Sequence, residues 1–361
     1  MKVLLLSNMY PSQTHLFYGI FVKNFSESME AQGATIDKVV IEGRGASRSE
    51  KIKKYIMYYA SSLKKLASNK YDVIYVHSAS HALVPVAILR LLIKNPIIIN
   101  IHGSDVTPHN FTGKLIHTIN KNAIANCSLA IIPSHAFEKQ ISSHVKLPAT
   151  FVSPSGGVNR SVFFPRPYTK VNPRLITIGF VSRIDEDKGW DTFIEALSEL
   201  KQKKPDLSIK AIIVGTGSQV KDMLRMISDM NLESIFQYIP QLAQPELPTI
   251  YHSLDVFVFP TRRLGESLGL VGLEAMSCGV PIIASKIGGI QDYVIDGENG
   301  YSCEPGNAQD FFEKISTFLS LSPEQKNHLA KGAIATAEEY DSIACAKNLY
   351  EQIEITHRAY P

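Results

Sequence analysis

The sequence predicts an α/β protein of two Rossmann-like domains facing each other across a cleft, with helices at the C-terminal end. Three observations predict it. Short apolar runs alternate with helical patterns through the first half of the chain, a proline-bearing polar segment breaks the rhythm, and the alternation then restarts. A length of 361 residues exceeds one ordinary α/β core and suits two.

Strands of a parallel sheet are covered on both faces and therefore read as short, continuous apolar runs. The first, KVLLLSN (2–8), is too short for a signal-peptide core and reads as a buried strand. TIDKVVI (35–41), DVIYVH (72–77), PIIINIH (96–102), LAIIPS (129–134) and ATFVSP (149–154) follow it. Helical patterns lie between, around 20–32, 50–67, 80–93, 112–126 and 135–144, and Ser134 is placed to cap the last. The longest apolar stretch, HALVPVAILRLLI (81–93), is too short to span a bilayer and contains Pro85 and Arg90, so it predicts a helix buried in protein. Three prolines in FFPRPYTKVNPR (163–174) mark the linker. The second half runs LITIGFVS (175–182), SIKAIIVG (208–215), IFQYIP (235–240), DVFVFP (255–260) and PIIAS (281–285), with helices near 190–203, 218–230, 245–252 and 268–277 and two or three more from 307 to 358. The expected domains are 1–165 on the acceptor side and 166–340 on the nucleotide side, with a helix at 341–361 packing back toward the first.

Composition is that of a globular protein, 45% hydrophobic and 20% charged. Cys127, Cys278, Cys303 and Cys345 form no CxxC pair, which argues against a zinc site or a disulfide framework and suits a reducing cytoplasm. The net charge of +3 conceals an asymmetry: residues 1–170 hold 20 Lys+Arg against 8 Asp+Glu, and residues 171–361 hold 17 against 26. Many of the cations sit in KIKKYIMYYASSLKKLASNK (51–70). That segment reads either as an amphipathic helix resting on an anionic membrane or as a solvated helix face. No nucleic-acid motif accompanies the charge.

The most informative segment is ESLGLVGLEAMSCGVPIIAS (266–285). Glu266 follows a strand at a polar turn, and Glu274 is expected two helical turns onward. One carboxylate can accept sugar hydroxyls and the other a ribose diol, while amides at a helix start can meet an anionic oxygen. An isolated pair of this kind would read as surface glutamates, but the glycine-rich entry and the CGVP turn before a buried strand favour a site. In GFVSRIDEDKGWDTFIEAL (179–197), Arg183 and Lys188 flank a loop before a helix, where two cations can neutralise a diphosphate; salt bridges to Asp185, Glu186 or Asp187 are the plainer alternative. That acidic triplet resembles a metal-binding motif, but it lies between the two cations that would replace the metal, and no metal is expected. Gly215 and Gly217 in IIVGTGS (212–218) indicate only a tight turn. His102 closes a strand before Gly103 and Asp105, where a neutral imidazole can hydrogen-bond a sugar or donate to a leaving phosphate. Gly19, in YGIFV (18–22), reads equally as a turn glycine or as an amide for a donor phosphate. A nicotinamide dehydrogenase is rejected because no GxGxxG follows the first strand.

These segments, with HGSD (102–105), PSGGVNRSVFFP (154–165) and GGIQDYVIDGENGYSCEPGN (288–307), resemble retaining glycosyltransferase family 4, the group 1 transferases of the GT-B fold. The E-x7-E block and the R-x4-K loop are the specific matches. The resemblance implies a metal-independent hexosyltransferase without cofactor, which moves a hexose or N-acetylhexosamine from a nucleotide diphosphate sugar and retains its anomeric configuration without a protein nucleophile. It implies that Glu266 holds the donor sugar, with Ser267 and the amides of Leu268, Gly269 and Leu270 near sugar and phosphate. Glu274 takes the ribose and Arg183 and Lys188 the diphosphate, with Gly215 beside the donor. His102 and Gly19 approach from the first domain, His102 and Glu266 being the catalytic pair. The expected acceptor is a cell-envelope glycan or a lipid-linked one, as in polysaccharide biosynthesis, with the protein cytoplasmic and peripheral on the inner face of the cell membrane. The chain departs from the family pattern at Ser155-Gly156-Gly157-Val158-Asn159, where Asn-Gly-Val-Asp is usual, at Asp292, usually Glu, and in the longer loop 8–19. Two alternatives compete: an epimerase or hydrolase of nucleotide sugars on the same scaffold, against which the basic helix argues, and a non-catalytic binding subunit, against which both glutamates and both cations argue.

Overall fold

The computed structural model describes residues 1–15, 18–102, 111–142, 145–166 and 174–360. They form two compact units, one comprising Met1–Gly157 with Ser342–Pro361 and the other Val158–Asp341.

The first unit is a six-stranded parallel sheet: β1 (Lys2–Tyr10), β2 (Thr35–Glu42), β3 (Val73–His77), β4 (Ile97–Asn100), β5 (Leu129–Ile132) and β6 (Thr150–Val152), in the order β2-β1-β3-β4-β5-β6. Period-two alternation sends the residues of β1 to opposite faces. Leu4 and Leu6 pack with Tyr58 and Leu66 of α2 (Arg48–Ala67), Val86 of α3 (Val84–Leu89) and Ile124 of α4 (Phe111–Ala125). Val3 and Leu5 pack with Val22 and Met29 of α1 (Ile20–Ala31) and with Leu349 and Ile353 of α12 (Ser342–Ala359). The chain's last helix thus completes the core of the unit that its first strand begins. A further helix, α5 (His135–Ser142), precedes β6.

The stretch 81–93 departs from its expectation. Only Val84–Leu89 is α-helical, and Ile88, Leu91 and Leu92 face solvent, Leu91 fully. Pro85 starts the helix, and at six residues α3 is too short to bury more than the side carrying Pro85 and Val86.

The second unit repeats the plan with β7 (Ile176–Val181), β8 (Ile209–Val214), β9 (Phe236–Ile239), β10 (Val256–Phe259), β11 (Ile282–Ser285) and β12 (Gly300–Cys303), ordered β12-β11-β10-β7-β8-β9 and all parallel. The helices are α6 (Trp190–Lys203), α7 (Val220–Asp229), α8 (Leu247–Tyr251), α9 (Leu270–Ser277), α10 (Ala308–Ser320) and α11 (Pro323–Glu339). β12 is not among the strands expected from the sequence: its four residues include a glycine and its two central positions are only half-buried. The chain enters this unit at Val158, ahead of the proline-bearing segment, because Phe163 is already in its core and Ser277 Oγ donates to the Phe163 carbonyl at 2.6 Å. Residues 167–173 of that segment lie outside the described residues.

In each sheet the strand order reverses beside its first strand, between β1 and β3 and between β7 and β10. The crevice at such a reversal, beyond the carboxyl ends of the strands, is where open α/β sheets bind ligands.

Candidate functional site

In the second unit the reversal point carries a buried ion pair. β7 leads through a short 3-10 turn, Glu186–Lys188, into α6; β10 leads through an irregular segment into α9. Lys188 Nζ lies 2.6 Å from Glu266 Oε2, with 9% and 13% of the two side chains exposed. Thr261 Oγ1 stands 3.4 Å from the same carboxylate oxygen and 3.2 Å from the Asp187 carbonyl. Glycines permit this closeness. A Cβ on Gly189, whose φ is +72°, would come within 1.9 Å of the Pro260 carbonyl oxygen. One on Gly288 would come within 2.0 Å of the Glu266 carbonyl oxygen, which accepts the Gly289 amide at 3.0 Å.

Lys188 therefore does not pair with the neighbouring acidic triplet. Arg183 does: its guanidinium meets Asp185 at 2.5 Å while 60% of its side chain remains exposed. Asp185 in turn accepts the amide and hydroxyl of Ser218, at 3.0 and 2.8 Å, tying the loop after β7 to the loop after β8. These hydrogen bonds hold its carboxyl below the usual range despite partial burial. Gly215 belongs to the same junction. Its φ is +146°, and a Cβ there would lie 1.8 Å from the Ser182 carbonyl oxygen, so the close neighbour is backbone.

Glu274 occupies a drier place. Its carboxylate accepts from Gln244 Nε2 at 3.0 Å and from the Tyr251 hydroxyl at 3.2 Å, and the residue is 7% exposed. Burial pushes its carboxyl up to about 7, against the pull of both hydrogen bonds. The expected two-turn spacing from Glu266 is corrected here. α9 begins only at Leu270, so Glu274 lies one turn into the helix and Glu266 lies on irregular chain before it. Ser267, Leu268 and Gly269 lead into the N-terminus of α9; Gly269 is left-handed at φ +77° and accepts the Tyr293 hydroxyl at 3.1 Å. Thr261, Gln244 and Tyr251 were not singled out in the sequence. Gln244 and Tyr251 reach Glu274 from 30 and 23 residues away, with no local signal.

In the first unit, Gly19 caps α1 at φ +72°, and a Cβ there would meet the Met9 carbonyl carbon at 2.7 Å. His102 lies just past β4, its Nε2 3.0 Å from Nε2 of His77, the last residue of β3. His77 was missed, although DVIYVH ends a strand in histidine just as INIH does. Gly103, Ser104 and Asp105 lie outside the described residues. Among the described residues no group of three His, Cys, Asp or Glu is arranged to hold a metal ion.

A family model described as Glycosyl transferases group 1 matches residues 166–336, and one described as Glycosyltransferase Family 4 matches residues 20–156. A D-inositol 3-phosphate glycosyltransferase of Paenarthrobacter aurescens is 32% identical over 167 residues, 44% of this chain and 40% of that protein. A GDP-mannose-dependent alpha-(1-6)-phosphatidylinositol monomannoside mannosyltransferase of Mycolicibacterium smegmatis is 38% identical over 156 residues, 40% of each chain. The match thus spans about two fifths of the length of these curated relatives. Among solved structures, the Anabaena protein HepE in complex with UDP has a TM-score of 0.78 at 21% identity, over 98% of this chain and 100% of that one. Sucrose-phosphate synthase from Thermosynechococcus elongatus has a TM-score of 0.77 at 19% identity, over 98% and 99%.

Proposed function

Because the chain belongs to the glycosyl transferases group 1 family and has the GT-B fold, we propose that it transfers a hexose or N-acetylhexosamine from a nucleotide diphosphate sugar. The observation that carries this reading is the buried Lys188–Glu266 pair at the reversal point of the second sheet, with Glu274 held one turn into α9. The HepE structure with UDP supports a nucleotide donor.

In this mechanism Lys188 leaves Glu266 for the donor diphosphate and, with Arg183, stabilises the charge that develops as the diphosphate departs. Glu266, relieved of its partner, accepts the hydroxyls of the donor sugar. Amides at the start of α9, from Leu268 to Leu270, face the sugar and phosphate with the positive end of the helix dipole. Glu274 takes the ribose diol, and His102 and Gly19 are the ligand contacts assigned to the first unit. Transfer retains the anomeric configuration, needs no protein nucleophile and requires no metal.

A thermal-shift screen against UDP, GDP, ADP and TDP sugars tests the donor. One nucleotide at about 100 times its Kd is expected to stabilise the protein by about 2.7 kcal/mol, with the shift unchanged by a chelator. No shift with any nucleotide, or one that disappears with the chelator, contradicts the reading.

The acceptor is proposed to be a cell-envelope glycan or a lipid-linked one, met at an anionic membrane on the cytoplasmic side. The support is a layer of three neighbouring elements on one face of the first sheet. Ile52 and Ile56 of α2, Ile88, Leu91 and Leu92 in and after α3, and Phe111, Leu115 and Ile119 of α4 are all exposed. From Val73 to Phe137 the chain carries four Lys or Arg and a single acidic residue, Asp105. Apolar side chains fringed by cations suit an anionic bilayer. No helix among the described residues is long and apolar enough to cross one. Vesicles containing phosphatidylglycerol are expected to bind the protein, and binding should weaken as salt rises. Leu91→Glu with Phe111→Glu should reduce it about 30-fold or more, each of the two charges at the interface being worth about a kcal/mol or more. Binding indifferent to salt and to these substitutions sinks the idea.

A further inference from the structure

We propose that Arg262 is a positioning residue that clamps the turn carrying Lys188, a role that rests on the transferase reading of this site and deepens it. With Glu266 as its partner, Lys188 is fixed by a short ion pair. That restraint ends in the very step for which the cation is needed, because Lys188 then exchanges the carboxylate for the donor diphosphate. Arg183 exchanges Asp185 for the same diphosphate, so a second tie on this loop is released with the first. An ammonium on a flexible four-carbon stem is only as well placed as the backbone from which it grows. A contact that the donor does not displace has to hold the turn.

Arg262 makes that contact from the segment between β10 and α9. Its backbone amide donates to the Asp187 carbonyl at 2.9 Å, and its Nη2 to the Glu186 carbonyl at 2.5 Å. Its Nη1 donates to Asp191 Oδ2 at 2.9 Å. These acceptors lie on both sides of Lys188, two in the 3-10 turn before it and one in the first turn of α6 after it. One residue, 71 to 76 positions away, therefore brackets Lys188 and Gly189. The planar guanidinium can span a carbonyl and a carboxylate at a fixed separation, which a single ammonium cannot. Asp191 is oriented for the task, because its Oδ1 accepts the Thr192 amide at 3.0 Å and leaves Oδ2 to Arg262. Gly306, with φ +77°, leaves room for the arginine stem: a Cβ there would stand 3.1 Å from Arg262 Cδ. The start of the loop is secured separately, by Asp185 on Ser218.

As an ion pair alone, Arg262–Asp191 carries little stability, its side chains being 31% and 29% exposed. That weakness makes the role testable, because the arginine can be removed from a protein that stays folded. Wild type, Arg262→Met, Arg262→Lys, Lys188→Met and the Arg262→Met/Lys188→Met double variant are compared as full chains. Arg262→Met is expected to melt within about 4 °C of the wild type. Amide hydrogen exchange at Asp187, Lys188 and Gly189, read by NMR, should nevertheless accelerate about tenfold or more, with the strands unchanged. With an active donor and acceptor, Arg262→Met should lower kcat about 100-fold, the scale of an ångström of misplacement, with donor KM within about threefold. Arg262→Lys, which keeps one charged donor, should recover about tenfold of that loss. In the Lys188→Met background, Arg262→Met should change the rate by less than about threefold, because the group it positions is gone. Losses that multiply in the double variant overturn the proposal, as does unchanged exchange at the turn. A melting temperature lowered by more than about 10 °C also overturns it, by making Arg262 a residue of general stability. Faster exchange at the turn without turnover on any sugar leaves the clamp standing and counts against the transferase reading alone.

Discussion

Lys188→Met is expected to destabilise the second unit by about 3–5 kcal/mol, because it strands the Glu266 carboxylate in a nearly dry site. The loss should appear as a lower denaturant midpoint at unchanged m. Lys188→Met combined with Glu266→Leu removes both charges and should recover most of that stability, so the two substitutions are strongly non-additive. Transfer should fall by a factor of about 1,000 or more in the single and the double variant alike, since the cation that meets the leaving diphosphate is gone from both. The double variant thus separates stability from chemistry. Strict additivity of the two substitutions would deny the pair its structural weight. Undiminished turnover in the stable double variant would remove the donor site from Lys188 and Glu266.

Glu274→Gln is expected to make the protein more stable at pH 8 by about 2–3 kcal/mol and to leave it about equal at pH 4. In the folded protein burial raises the Glu274 carboxyl to about 7, from about 4.5 when unperturbed. Between those values the folded state holds a proton that the unfolded chain has released. Stability from this group is therefore lost progressively as pH rises through that window, and the loss is complete above about 7. Glutamine cannot ionise, so its variant should lack this slope. In the wild type a ribose diol donating to the carboxylate favours the ionised form, so donor affinity should rise with pH up to about 7 and then level off. Parallel pH–stability curves for wild type and variant refute the assignment of Glu274 as a carboxyl with a raised pKa.

Both effects arise from side chains that the sequence singles out but whose surroundings it does not contain. Glu266, Glu274, Arg183 and Lys188 were legible because each sits just after a strand or at a helix start, in a glycine-rich setting. Their partners were not. The acidic triplet beside Lys188 was the natural local guess, yet Lys188 reaches 78 residues along the chain to Glu266 while Asp185 turns to Ser218 and Arg183. His77 was within reach of the strand-end argument used for His102, but its contact with that residue spans 25 positions of the chain.

The sequence alone determined that the protein has two parallel α/β units, because hydrophobic periodicity and the residues that punctuate it are local properties, written out strand by strand and helix by helix. It also determined which residue types stand at the carboxyl ends of the strands. Only the tertiary structure decided how those residues act: that Lys188 and Glu266 neutralise one another, that Glu274 is dry enough to keep its proton near neutrality, and that His77 and His102 meet nitrogen to nitrogen. It decided too that part of the apolar stretch after β3, at Ile88, Leu91 and Leu92, faces outward. Charge state, burial and pairing depend on which atoms meet in space, and a parallel sheet brings together strand ends that lie tens of residues apart in the chain.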